Sequence, residues 1–129
     1  MSAIKKINTE KAPAAIGPYS QAVVAGNMIY LSGQIGLEPK SGKLADGGIT
    51  GETKQALENI KAVLLAAGSD IASVAAVTVY LTDMNEFAAM NEVYAAYFKE
   101  PYPARAAVAV SNLPKNAKVE ISAIAVKQP

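Results

Sequence analysis

Only two stretches of this chain carry a helical stripe, and they must cover a sheet assembled from nearly everything else. Leu57, Ile60, Val63, Leu64 and Ala67 recur at the spacing of one helix face, in a segment that begins around residues 50–53 and stops at Gly68. Phe87, Met90, Tyr94, Tyr97 and Phe98 mark a second face, opened by Asp83 and Glu86 at capping-box spacing and closed by Pro101 and Pro103. Apolar or β-branched runs at residues 3–7, 22–25, 28–32, 74–81, 105–110 and 119–126 read as strands. The order is β-β-β-α-β-α-β-β: an α+β chain, residues 1–129 as one domain, with both helices on one face of a mixed sheet. No helical stripe remains for the other face. Self-association is the simplest cover, and a site between subunits is its natural consequence. Charged residues make up 18% of the chain, below the usual quarter, which also suggests a surface meant for another subunit.

The connections carry their own signals. Gly26-Asn27 separates two strand runs by the two residues of a β-hairpin. Gly33, just after Ser32, marks a bulge or a place where a ligand nears the backbone. Residues 38–50 form a polar loop containing Pro39, Gly42, Gly47 and Gly48 and are expected to be mobile.

One residue stands out chemically. Arg105 is the chain's single arginine beside eleven lysines, set in a run of alanine and valine at residues 103–110. Such a run fits a strand buried on both faces, and an arginine on a solvent-facing edge strand fits equally well. A guanidinium keeps its proton, so when buried it must meet an anion or hydrogen-bonding oxygens. The anion is either a carboxylate of the protein or a carboxylate or phosphate of a ligand. Glu120 is the single acid in the last strand. It reads either as an outward strand position or as a carboxylate that pairs with Arg105 or holds a water. The two strands share a short connection and are expected to be neighbours. Tyr19 reads as turn packing or as a ligand contact, and Asn91 interrupts the apolar pattern beside the second helical stripe.

Composition removes many chemistries. The chain has no cysteine and no histidine, so thiol nucleophiles, disulfides and the commonest metal ligand and general base are missing. Catalysis would have to use carboxylates, tyrosine, hydroxyls, lysine, backbone groups or water. The acids are scattered, no glycine-rich phosphate loop is present, and a metal site is not expected. A net charge of +1 supplies no field toward nucleic acid or membrane. The first residues lack the apolar stretch of a signal peptide, no run is long enough to span a bilayer, and the expected compartment is the cytoplasm.

Gly17-Pro18-Tyr19-Ser20-Gln21-Ala22, Leu31-Ser32-Gly33-Gln34-Ile35, Thr82-Asp83-Met84, Asn91, Tyr97-Phe98, Pro103-Ala104-Arg105 and Val119-Glu120-Ile121 occur in order and at characteristic spacing. By these motifs the whole chain resembles the RidA (YjgF-type) family. The resemblance implies a chorismate-mutase-like fold, a homotrimer with three clefts between neighbouring subunits, and hydrolytic deamination of 2-iminobutanoate and 2-iminopropanoate without a cofactor. It also implies that Arg105 grips the substrate carboxylate and Glu120 positions the attacking water, with Tyr19 beside them. Ser32, Gly33 and Asn91 would line or support the cleft. Position 107, often cysteine in that family, is Ala107 here and would act through its backbone, while the segment at residues 99–102 is short compared with many relatives.

Two other functions fit parts of the sequence. A ribonuclease or translation-inhibiting RNA binder is poorly supported, since Lys5, Lys6 and Lys11 form the only dense basic cluster. A non-enzymatic module binding small carboxylates or keto acids would use Arg105 alone, and the presence of Glu120 favours the enzyme.

Overall fold

The computed structural model describes residues 3–128. Its strands are β1 (Ile4–Ile7), β2 (Ala22–Ala25), β3 (Met28–Ile35), β4 (Val74–Leu81), β5 (Ala104–Ala109) and β6 (Val119–Val126), and its helices are α1 (Gly48–Ala66) and α2 (Phe87–Tyr97). The element order is the one the sequence predicts. The strands form one sheet in the order β1-β2-β3-β6-β4-β5, antiparallel throughout except for the parallel pair β4 and β5.

Alternation along the strands decides what each face does. Ala22, Leu31, Ala123 and Val77 lie in register and are buried, as are Ile29 with Ala125 and Val79 with Ile121. The stripe of Leu57, Ile60, Val63 and Leu64 on α1 is fully buried, and α1 packs on β3, β6 and α2. The opposite face carries Tyr30, Thr78, Tyr80, Val108, Ser122 and Ile124. Tyr30 and Val108 are 45% and 42% exposed, so this face is apolar in part, and no described element covers it.

Two expectations need correction. The strands bearing Arg105 and Glu120 are not neighbours, because β4 lies between them. The crossover through α2 returns β5 parallel to β4, and β6 already occupies the other edge of β4. The connection at residues 110–118 therefore reaches over the end of β4, two strand spacings of ~4.8 Å each. Of the two readings left open for the Arg105 run, the structure takes the edge strand: β5 closes one side of the sheet and Arg105 is exposed. The loop at residues 38–50 is tied down as well. Leu37 and Leu44 form a bridge, Glu38 N donates to Lys43 O at 2.8 Å, and Ala45 N donates to Gly36 O at 2.8 Å. α1 starts at Gly48, two residues before its expected first position, and Gly68 ends it with a φ of 77°. Asp83 caps a short 3-10 turn, Met84–Glu86, by accepting from Asn85 N at 2.9 Å, and that turn leads into α2.

Candidate active site

Arg105 lies in register with Val77, so its side chain leaves the sheet on the helix side and meets α2. Its Nη1 donates to Asn91 Oδ1 at 2.6 Å, and its guanidinium carbon stands 4.7 Å from the Tyr94 ring centre and 5.5 Å from that of Phe87. No ion pair involves Arg105 among the described residues. Among the described residues no carboxylate is its partner, and Asn91 takes a single N–H of the guanidinium fork. It opens on a groove of about 440 Å³ with Tyr94, Ala95, Tyr102 and Pro103.

Glu120 lies in register with Tyr80 and Ile35, so it leaves the sheet on the other face. It lines a cleft of about 330 Å³ with Ile16, Tyr19, Gly33, Lys115 and apolar walls that include Ile35 and Leu37. Burial pushes the Glu120 carboxyl above its ordinary value of 4.5. The register of β3 on β6 jumps between Leu31 and Gln34, which is the bulge that Gly33 foretells. A Cβ at Gly33 would run into the Glu120 carboxylate, standing 2.8 Å from its Cδ, so glycine is what allows this approach. Tyr19, 53% exposed, projects from a turn closed by its own N donating to Gly17 O at 2.8 Å.

The wall at residues 12–19 is held by a residue that the sequence reading quotes in a motif but gives no role. Gln21 is 2% exposed; its Nε2 donates to Thr9 O at 3.0 Å and Pro13 O at 2.8 Å, and its Oε1 accepts from Thr9 N at 2.7 Å. Its signal in the sequence is faint, a polar amide at the entry to a short apolar strand. Ser32 completes the support: its Oγ donates to Ser20 O at 2.6 Å and its N to Gln21 O at 3.0 Å. Lys115, also missed, sits at the cleft with a φ of 56°, beside Asn116 at 58°. Two consecutive left-handed non-glycine residues fix that rim in a strained turn.

Residues 9–127 match the Endoribonuclease L-PSP family. The chain belongs to it. As a member of the L-PSP family, it shares 58% identity over 122 residues with a RutC family protein of Pyrococcus horikoshii, covering 95% of this chain and 97% of that one. It is 56% identical over 123 residues to the 2-iminobutanoate/2-iminopropanoate deaminase of Capra hircus, covering 95% of this chain and 90% of that enzyme. Among solved structures, RidA from the Antarctic bacterium Psychrobacter sp. superposes with a TM-score of 0.91 at 49% identity, over 95% of this chain and 98% of the other.

The L-PSP match takes in every residue singled out for function, and it begins just after β1. The fold distributes those residues over two places. Arg105 and Asn91 meet in the groove beside α2, while Tyr19, Gly33 and Glu120 meet in the cleft, with Ser32 holding its wall. Ala107 points to the helix side and packs against the core, leaving its backbone as the part a ligand could touch. Within one chain Arg105 and Glu120 do not pair: they leave opposite faces of the sheet, with β4 between their strands. Among the described residues, no three His, Cys, Asp or Glu side chains cluster to hold a metal ion, and no helix is long and apolar enough to cross a membrane.

Proposed function

We propose that this chain hydrolyses 2-iminobutanoate and 2-iminopropanoate to 2-keto acids and ammonia, in a homotrimer whose clefts combine the Arg105 groove of one subunit with the Glu120 cleft of the next. The observation that carries the reading is the split itself. A guanidinium with no carboxylate partner among the described residues and a carboxylate raised by burial stand on opposite faces of one sheet. Two copies can bring these complementary halves together, and the partly apolar open face gives them a surface to meet on. The deaminase name of the Capra hircus relative supports the substrate class.

In the assembled cleft, Arg105 takes the substrate carboxylate by two parallel bonds and fixes C2, helped by backbone groups at Ala107 on the edge strand. Glu120 accepts a proton from a water as its oxygen attacks C2 of the protonated imine. The C=N bond becomes C–N, giving a carbinolamine. Glu120 returns the proton to nitrogen, then accepts the hydroxyl proton as C2–O closes to a carbonyl and ammonia leaves, and that proton departs with ammonia as ammonium. The raised carboxyl is a stronger base than an ordinary glutamate once ionised. A protonated imine is already electrophilic, so positioning and one proton relay suffice, and the reading calls on no cofactor. The reaction belongs in the cytoplasm, where dehydratases acting on serine and threonine release such enamines.

The test couples a threonine dehydratase to this protein and follows 2-oxobutanoate formation where spontaneous hydrolysis is slow, with light scattering on the same sample. The reading expects faster keto-acid release and a trimer mass; no acceleration, or a monomer at micromolar concentration, overturns it. The family's name raises ribonuclease action as a second reading. Many-turnover cleavage of single-stranded RNA, equal in Arg105→Ala, would favour it instead.

A further inference from the structure

The helical stripe that reads as plain core has a second job on its outer edge. Phe87, Asn91 and Tyr94 stand at i, i+4 and i+7 of α2 and present one face toward β5. All three touch the same group: Asn91 Oδ1 takes the Nη1 proton of Arg105 at 2.6 Å, while the two rings lie 5.5 Å and 4.7 Å from its guanidinium carbon. We propose that Phe87 and Tyr94 are positioning residues, an aromatic seat that orients the Arg105 guanidinium for a carboxylate ligand. The inference rests on the reading of Arg105 given above.

The chemistry of the two contacts makes them compatible. A ring attracts the cation through its π-face, whereas a carboxylate bonds to the in-plane N–H groups. Asn91 occupies one N–H and leaves the rest of the fork open. An arginine on an exposed edge strand would otherwise lose rotamer freedom at each binding event, and a seated one is already ordered. Tyr94 is itself fixed: it is 6% exposed, and its ring centre lies 4.4 Å from that of Phe98. Its hydroxyl has no hydrogen-bond partner among the described residues. Burial raises the Tyr94 phenol, a shift the charge of Arg105 only partly offsets, so the residue meets the cation as a neutral ring. The ring face does the positioning, and the hydroxyl is dispensable to it.

The experiment compares Tyr94→Phe, Tyr94→Leu and Phe87→Leu, each in the wild-type and in an Arg105→Gln background, reading KM and kcat on 2-iminobutanoate and the affinity for 2-oxobutanoate by calorimetry. Trimer mass and thermal unfolding are read on the same samples. Each leucine variant should raise KM and weaken 2-oxobutanoate binding by roughly ten-fold, with kcat changed far less. Tyr94→Phe should recover most of that loss. With the cation gone in Arg105→Gln, the leucine changes should add almost nothing. Should Arg105→Gln lose binding while folded leucine variants keep it, the seat is wrong and the carboxylate role of Arg105 stands. Losses that simply add in the Arg105→Gln background also overturn the seat, because they would not act through the guanidinium. If Arg105→Gln binds 2-oxobutanoate as wild type does, the reading of Arg105 fails, and the seat with it. Where Tyr94→Leu unfolds, Phe87→Leu, at a less buried position, decides.

Discussion

The Arg105 groove and the Glu120 cleft solve opposite problems with opposite materials. The groove is built on a helix: aromatic faces and one amide at helical spacing hold a cation whose fork must point one way. The cleft is built on backbone, a strand bulge, a proline-bounded turn and a loop stapled by Gln21, around a carboxyl that burial makes more basic. A side chain that must be aimed is placed on a regular element, while a side chain that must be partly desolvated is walled in by loops. The chain joins the two halves to one sheet and keeps them on opposite faces of it, with β4 between their strands.

Disabling the groove should have the largest effect. Arg105→Ala should fold, assemble and lose deaminase activity by at least about a hundred-fold, since carboxylate grip and orientation vanish together. Arg105→Lys should recover only a small part, because an ammonium lacks the planar fork. Coupled keto-acid assays with light scattering check both.

Disabling the cleft should separate binding from turnover. Glu120→Gln should lower kcat by about a hundred-fold while 2-oxobutanoate still binds, as calorimetry would show. The wild-type rate should fall as pH drops, with an apparent midpoint above the ordinary glutamate value of 4.5, because only the ionised carboxylate accepts the proton and burial raises its pKa. The same shift has a stability sign. A carboxyl raised in the folded state favours folding in its protonated form, an advantage lost as pH rises through the folded pKa. Glu120→Gln should therefore melt higher than wild type at pH 7, and the difference should close as the pH falls below the carboxylate range. An enzyme melting equally at pH 7 would contradict the burial argument.

Smaller effects come from what shapes the cleft. Gly33→Ala puts a methyl group where the Glu120 carboxylate lies, and should cost roughly ten-fold in kcat by displacing that group. Gln21→Ala removes the staple of the 12–19 wall and should lower stability by about 2 kcal/mol, measured by urea unfolding.

Much of this comparison was legible in the chain before folding. The order of strands and helices followed from periodicity, and Gly33 announced its bulge. Arg105 stood out as a charge in an alanine-valine run, and Asn91 as a break in an apolar stripe; in the structure those two anomalies are hydrogen-bonded to each other. The opposite placement of Arg105 and Glu120 was hidden, because it depends on β4 entering between two strands adjacent in sequence. Such insertion follows from which edge of β4 is free after the α2 crossover, a question of tertiary pairing that no local pattern encodes. Gln21 was hidden for a similar reason: its partners Thr9 and Pro13 lie on a loop whose return path is set only when the sheet forms.

The central claim is that one chain supplies the arginine and another the glutamate. Mixing Arg105→Ala and Glu120→Gln chains tests it, after co-refolding in equal amounts to form mixed trimers. Each variant alone should be nearly inactive. If the two residues come from neighbouring subunits, every mixed trimer holds one intact cleft, and the mixture should regain about a quarter of wild-type activity by random threefold assembly. A mixture that trimerises fully and stays as inactive as its two parents would place both residues in one chain's own site and contradict the account.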